Sequence, residues 1–93
     1  MAPVEPTELG SAGRLEVRFF ASLAERTGVS TETIDLDPGA RVVDLWAALE
    51  ERHPELRNLG YRPLVACDGS YAGWDDSLDG IVEVAFLPPV SGG

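Results

Sequence analysis

The group in this chain best suited to chemistry is its last one. Gly92-Gly93 follow directly on Phe86-Leu87-Pro88-Pro89-Val90-Ser91. The terminal α-carboxylate therefore has no bulky side chain near it and can be threaded into a narrow enzyme site. A carboxylate is anionic and resonance-stabilised, so it is a poor electrophile. To enter acyl or sulfur chemistry it must first be activated, usually as an acyl adenylate made from ATP. The chain has no phosphate loop of the G-x-x-x-x-G-K-[ST] kind, which implies a separate activating enzyme. Attack by sulfur on the adenylate would leave a terminal thiocarboxylate. That group has a low pKa and a soft, nucleophilic sulfur, following the logic that governs thiolates.

Other residues with reactive side chains read as structural. Cys67 closes the apolar run Leu64-Val65-Ala66-Cys67, where a small buried thiol is ordinary. His53 stands before Pro54 at an expected helix end, where a cation suits the helix dipole. It has no companion histidine or cysteine cluster with which to hold a metal. Asp75 and Asp76 lack the further oxygen ligands of a calcium loop, so they belong to a solvated connection. No metal site is expected.

Composition narrows the partners. The chain has 93 residues, 44% of them apolar, and a formal net charge of −9. One domain with a modest core is the natural reading. Nucleic acid and anionic membranes are disfavoured as partners, because both need clustered Lys and Arg. A basic protein partner is compatible with this charge, as is plain adaptation for solubility. A single cysteine allows no intramolecular disulfide and points to a reducing compartment. No stretch approaches the roughly 20 apolar residues of a membrane span. Residues 1–13, with Pro3, Pro6, Gly10, Gly13 and two glutamates, lack a signal peptide's basic start and apolar stretch. They are expected to be a disordered leader and the protein to be cytoplasmic.

The elements that must position the terminus follow from periodicity. Leu15-Glu16-Val17-Arg18-Phe19 alternates as a half-buried strand, and Phe20 extends it with an apolar residue on the other face. Ala21 to Arg26 suits one helical turn, ended by Gly28. Thr31 to Leu36 alternates again and is rich in β-branched residues. Val42, Leu45, Trp46 and Leu49 form an apolar stripe on a helix over 42–52, stopped by Pro54. Trp46 is thus a core anchor. Leu56 and Leu59 are expected to plug one end of the core. Leu64 to Cys67 is a short strand, Asp68-Gly69 a turn, and Ser70 to Trp74 a weak return strand. Ile81 to Leu87 is the most apolar strand, expected to be central and buried on both faces. The first and last strands are the natural central pair.

Pro88-Pro89 cannot continue a central ladder and forces an extended, stiff exit. Six residues beyond Leu87 reach roughly 20 Å at about 3.3 Å each, enough to enter another protein. The expected organisation is a leader at 1–13, a folded domain at 14–87 and a flexible tail at 88–93.

Phe86-Leu87-Pro88-Pro89-Val90-Ser91-Gly92-Gly93 resembles the terminus of the molybdopterin synthase small subunits, the MoaD family of ubiquitin-like sulfur carriers. Val17-Arg18-Phe19-Phe20-Ala21, Val65-Ala66-Cys67-Asp68-Gly69 and Glu83-Val84-Ala85 resemble other segments of that family, so the likeness spans about 14–93. The family's frequent Arg-Glu after the first strand is here Ala24-Glu25, with Arg26 following. The resemblance implies an α+β, ubiquitin-like β-grasp fold: a mixed four- to five-stranded sheet packed on one main helix. It implies that the Gly93 carboxylate is adenylated by an ATP-dependent, E1-like (MoeB-like) enzyme and converted to a thiocarboxylate. The tail (Pro88, Pro89, Val90, Ser91, Gly92) would then insert into a MoaE-like large subunit whose basic pocket holds precursor Z. Sulfur delivered there builds the dithiolene of molybdopterin. A heterotetramer of two small and two large subunits is implied. The chain itself would bind no cofactor and would not be catalytic alone. Phe20, Phe86 and Leu87 are the expected docking residues. Two alternatives remain: a carrier serving thiamine or cysteine synthesis, and a ubiquitin-like modifier joined through Gly93 to target lysines.

Overall fold

The computed structural model describes residues 14–89. The expected leader, 1–13, and the last four residues, Val90 to Gly93, lie outside the described residues. Eight elements follow in order: β1 (Arg14–Phe19), α1 (Ser22–Thr27), β2 (Thr31–Asp35), α2 (Val42–Arg52), a 3-10 turn (Pro54–Asn58), β3 (Leu64–Cys67), β4 (Ser70–Ala72) and β5 (Glu83–Leu87). The five strands form one mixed sheet in the order β2-β1-β5-β3-β4. β1 and β5 run parallel side by side, with Val17 opposite Val84 and Phe19 opposite Phe86. The other pairs are antiparallel. This is the β-grasp arrangement, and the expected central pair is present.

Alternation assigns the faces. Leu15, Val17 and Phe19 point inward, as do Ile34, Val65, Val84 and Phe86. Helix α2 covers them with Val42, Leu45 and Leu49, all fully buried. Each such side chain contributes roughly 1.5–3 kcal/mol through burial. Leu56 and Leu59 close one end of the core, and Cys67 is buried within it. Trp46 is half-buried against this core. The start of α2 is satisfied from outside the helix. The Val42 N–H donates to the Asp76 carbonyl at 3.0 Å and the Val43 N–H to the Trp74 carbonyl at 2.9 Å. Asp44 reaches back to accept the Arg41 N–H at 2.9 Å. Two of the donors that a helix start leaves without partners thereby tie the 74–76 connection to α2.

Two expectations need correction. β5 begins at Glu83, not Ile81. Asp68 is the physical reason. Its carboxylate accepts the N–H groups of Val82 and Glu83, at 3.2 and 2.9 Å. The Asp68 N–H in turn donates to the Glu83 carbonyl at 2.9 Å. The donor of Val82 is thus held by a side chain. Asp68 and Gly69 both have positive φ, 49° and 89°, as a two-residue hairpin of the I′ kind requires. β5 is also not buried on both faces: Glu83, Ala85 and Leu87 stay half-exposed on the side away from α2.

Candidate functional site: the root of the tail

β5 delivers the chain to Pro88 at one end of the sheet, and the residues around that exit form the candidate site. The backbone there is tightly held. The Phe20 N–H donates to the Phe86 carbonyl at 3.1 Å, extending the β1–β5 pairing. On the other side Leu87 lies opposite Leu64 of β3. The last ring before the tail is locked in the core. Phe86 is 0% exposed, with ring centroids 4.9 Å from Trp46, 6.0 Å from Trp74 and 6.3 Å from Phe19. Such offset and tilted arrangements suit aromatic quadrupoles.

Phe86 is therefore not a docking residue, contrary to the expectation from sequence. Neighbouring residues of a strand point to opposite faces, and the register that puts Val84 and Phe86 inward turns Leu87 outward. The open face near the exit instead carries a row formed by Phe20, Leu87 and Leu64. Phe20 is 41% exposed, while Leu87 and Leu64 are half-buried. In the next row stand Ala85, Ala66 and Tyr71, with Tyr71 76% exposed. Arg18 and Glu83 bound the patch as an ion pair, Nε to Oε2 2.7 Å. Leu64 belongs to this surface and was missed in the sequence. Its strand reads as uniformly apolar, and only the pairing with β5 reveals which residues face out.

Ala21 marks the same corner. It has φ 54° and ψ −127°, a region glycine tolerates and a Cβ does not. The kink turns the chain from β1 into α1 directly after Phe20. Ser22 Oγ then lies 3.0 Å from the Tyr61 hydroxyl, fixing α1 to the segment before β3. The corner that presents Phe20 is thus strained and braced.

The other sequence candidates are structural. Burial, reinforced by the charges of Asp68 and Asp76, pushes the Cys67 thiol above its ordinary pKa. It is held protonated and is a weak nucleophile at neutral pH. His53 caps the end of α2, and its Nε2 lies 2.7 Å from Glu32 Oε1. Arg52 also donates to the Glu32 carboxylate. Burial alone would raise the Glu32 pKa; hydrogen bonds and charge from His53 and Arg52 outweigh it, and the net shift is downward. This cross-link joins β2 to α2. Asp76 accepts the Gly73 N–H at 2.8 Å and so stabilises a turn. Among the described residues no group of three or more His, Cys, Asp or Glu could hold a metal, and no helix is long and apolar enough to cross a membrane.

A rigid root, an outward apolar row and a following Pro-Pro segment suit a domain that hands its terminus to another protein. The model of the ThiS family matches residues 17–93. The chain belongs to that family. It is 36% identical to the human molybdopterin synthase sulfur carrier subunit, over 86% of this chain and 94% of that protein. Among solved structures, the small archaeal modifier protein SAMP1 of Haloferax volcanii superposes with a TM-score of 0.75 at 34% identity, covering 87% of this chain and all of that one. A chain in the complex of subunits 1 and 2 of the Helicobacter pylori molybdopterin-converting factor is similar at 27% identity and a TM-score of 0.57, covering 86% and 99%.

Proposed function

We propose that this chain is the sulfur-carrying small subunit of a molybdopterin synthase. One observation carries most of the weight: the Phe86-to-Gly93 terminus follows immediately on a central strand whose last inward ring is buried at 0% exposure. The domain acts as a handle, and the tail is the part that reacts. Pro88-Pro89 keeps the tail from folding back into the ladder. The glycines let it pass a constriction that any Cβ would block.

In this reading an E1-like partner uses ATP to adenylate the Gly93 carboxylate, releasing pyrophosphate. A sulfur donor then displaces AMP, leaving a thiocarboxylate. The tail enters the large subunit, whose basic pocket holds precursor Z. The thiocarboxylate sulfur attacks a carbon of precursor Z and displaces the oxygen held there, which leaves protonated. Water then hydrolyses the acyl link, leaving sulfur on the pterin and a carboxylate on Gly93, and a second thiocarboxylate supplies the second sulfur of the dithiolene. This chain's residues bind and position: Phe20, Leu87 and Leu64 dock, and the tail delivers the sulfur. The likeness to a complex of subunits 1 and 2 supports a large-subunit partner. The test is the intact mass of protein isolated from its own cells, in which a fraction should carry one sulfur in place of one terminal oxygen.

A second reading is favoured by the match to SAMP1: a modifier joined through Gly93 to lysines of other proteins. Gly-Gly remnants on lysines of digested cellular protein, traceable to this tail, would support it.

A further inference from the structure

Beside the tail root, on the helix side of the sheet, lies a groove of about 330 Å³. Its floor is aromatic. Trp46 and Trp74 meet edge to face at 5.7 Å, and both rest on Phe86. Its rim is cationic, with Arg57 on the 3-10 turn and Arg62 before β3. The Arg62 guanidinium stacks over the Trp74 ring, 4.3 Å from its centroid. That contact orients the cation and leaves its edges free to bind. The sequence has 16 acidic residues and only 7 basic ones. Arg14, Arg18 and Arg52 are ion-paired, whereas Arg26 and Arg41 form no ion pair among the described residues. Among the described residues neither Arg57 nor Arg62 has a carboxylate within salt-bridge distance, although Glu50 lines the same groove.

The position of the groove matters as much as its charge. Leu64 lies opposite Leu87 in the antiparallel β3–β5 register. That pair is the last of the ladder, so the chain leaves the sheet at Pro88 beside the end of β3 that Arg62 and Pro63 lead into. A protein that receives the tail would meet the approach to β3 near the tail's root.

We infer that this groove is a second docking point for the large subunit, and that it receives an acidic loop from the lip of the tail-binding channel. Charge complementarity and continuity with the tail's path favour that occupant. The inference rests on the reading that a large subunit receives the tail. A net charge of −9 draws the carrier toward a basic partner from any side. A local patch of opposite sign at the tail root then fixes the orientation, as complementary charges at an interface do. The open-face row and the groove together grip the root from both sides of the sheet.

The test exploits this inversion of sign. Arg57→Glu and the double variant Arg57→Glu/Arg62→Glu make an already acidic chain more acidic. If overall charge governs association with a basic partner, binding tightens. The groove contact predicts the reverse: dissociation from the cognate large subunit speeds up and Kd rises on the order of tenfold. Arg14→Glu, at the start of β1 and the opposite end of that strand from the tail root, should leave Kd unchanged within error. Arg57→Ala, which leaves the Arg62–Trp74 stack intact, should show the same sign with a smaller effect. Thermal melts check that each variant folds. Unchanged or tighter binding by the folded charge-reversal variants overturns the groove contact while leaving the sulfur-carrier reading in place. If the unaltered chain does not bind the large subunit at all, the functional reading fails and the groove contact fails with it.

Discussion

Phe86→Ala separates a core role for this ring from an interface role. The side chain is fully buried and meets Trp46, Trp74 and Phe19. Truncating such a ring costs about 3–5 kcal/mol, combining lost transfer energy with the cavity left behind. A domain of this size has a total stability on the order of 4–11 kcal/mol. The variant should therefore lose a large share of its stability, and its Tm should fall by on the order of 20 °C. Phe86→Leu, which keeps most of the volume, should lose less and remain folded at 25 °C. Differential scanning calorimetry reads the stability; titration with the large subunit at low temperature reads the interface. A folded Phe86→Leu variant should bind nearly as well as the original. Leu87→Ala should show the opposite profile, with a stability loss of about 1–2 kcal/mol and a clear loss of affinity. If Phe86→Ala shifts Tm by only a few degrees yet abolishes binding, the assignment of the ring to the core is wrong.

Three further outcomes follow from the geometry. Ala21→Gly should raise stability by up to about 1 kcal/mol, because it relieves a positive-φ Cβ; a lower Tm would show that the kink is unstrained. The Glu32 carboxylate has a lowered pKa in the folded state. Its contribution is therefore present above the unfolded value and lost as pH falls through the folded one. Urea melts from pH 6 to pH 3 should show a steeper stability loss for the native chain than for Glu32→Gln, and parallel curves would refute the linkage. Leu49→Ala, at the centre of the α2 stripe, should cost about 2–5 kcal/mol, whereas Val43→Ala on the exposed side should cost little. Equal costs would contradict the packing of α2 on the sheet.

Much of the fold was readable because local signals agree with one another. Leu15, Val17 and Phe19 alternate through β1, and Val42, Leu45 and Leu49 share one side of α2. Pro54 and Gly28 end helices where stereochemistry requires it. The face at the tail root was read less well. Phe86 and Leu87 are adjacent in one strand, so a single face could not hold both. The alternation of Val84 and Phe86 with Val17 and Phe19 carried that information once β1 and β5 were paired. The late start of β5 depends on Asp68, fourteen residues before Val82 in sequence. The Glu32–His53 cross-link joins residues 21 apart. The groove at the tail root is built from α2, the 3-10 turn, the approach to β3 and Trp74. Contacts of that kind exist only after the chain has folded, and no local pattern announces them.

The central claim concerns the last group of the chain, and a single-turnover reaction tests it most directly. The chain is prepared with a Gly93 thiocarboxylate, mixed with the large subunit and precursor Z, and assayed for molybdopterin. Product should form in proportion to the thiocarboxylate supplied, with Gly93 returned as a carboxylate. Chain lacking Gly93, or bearing only a carboxylate, should give none. Molybdopterin formed at the same rate from the carboxylate form, or no product from a thiocarboxylated chain that binds the large subunit, would contradict the assignment.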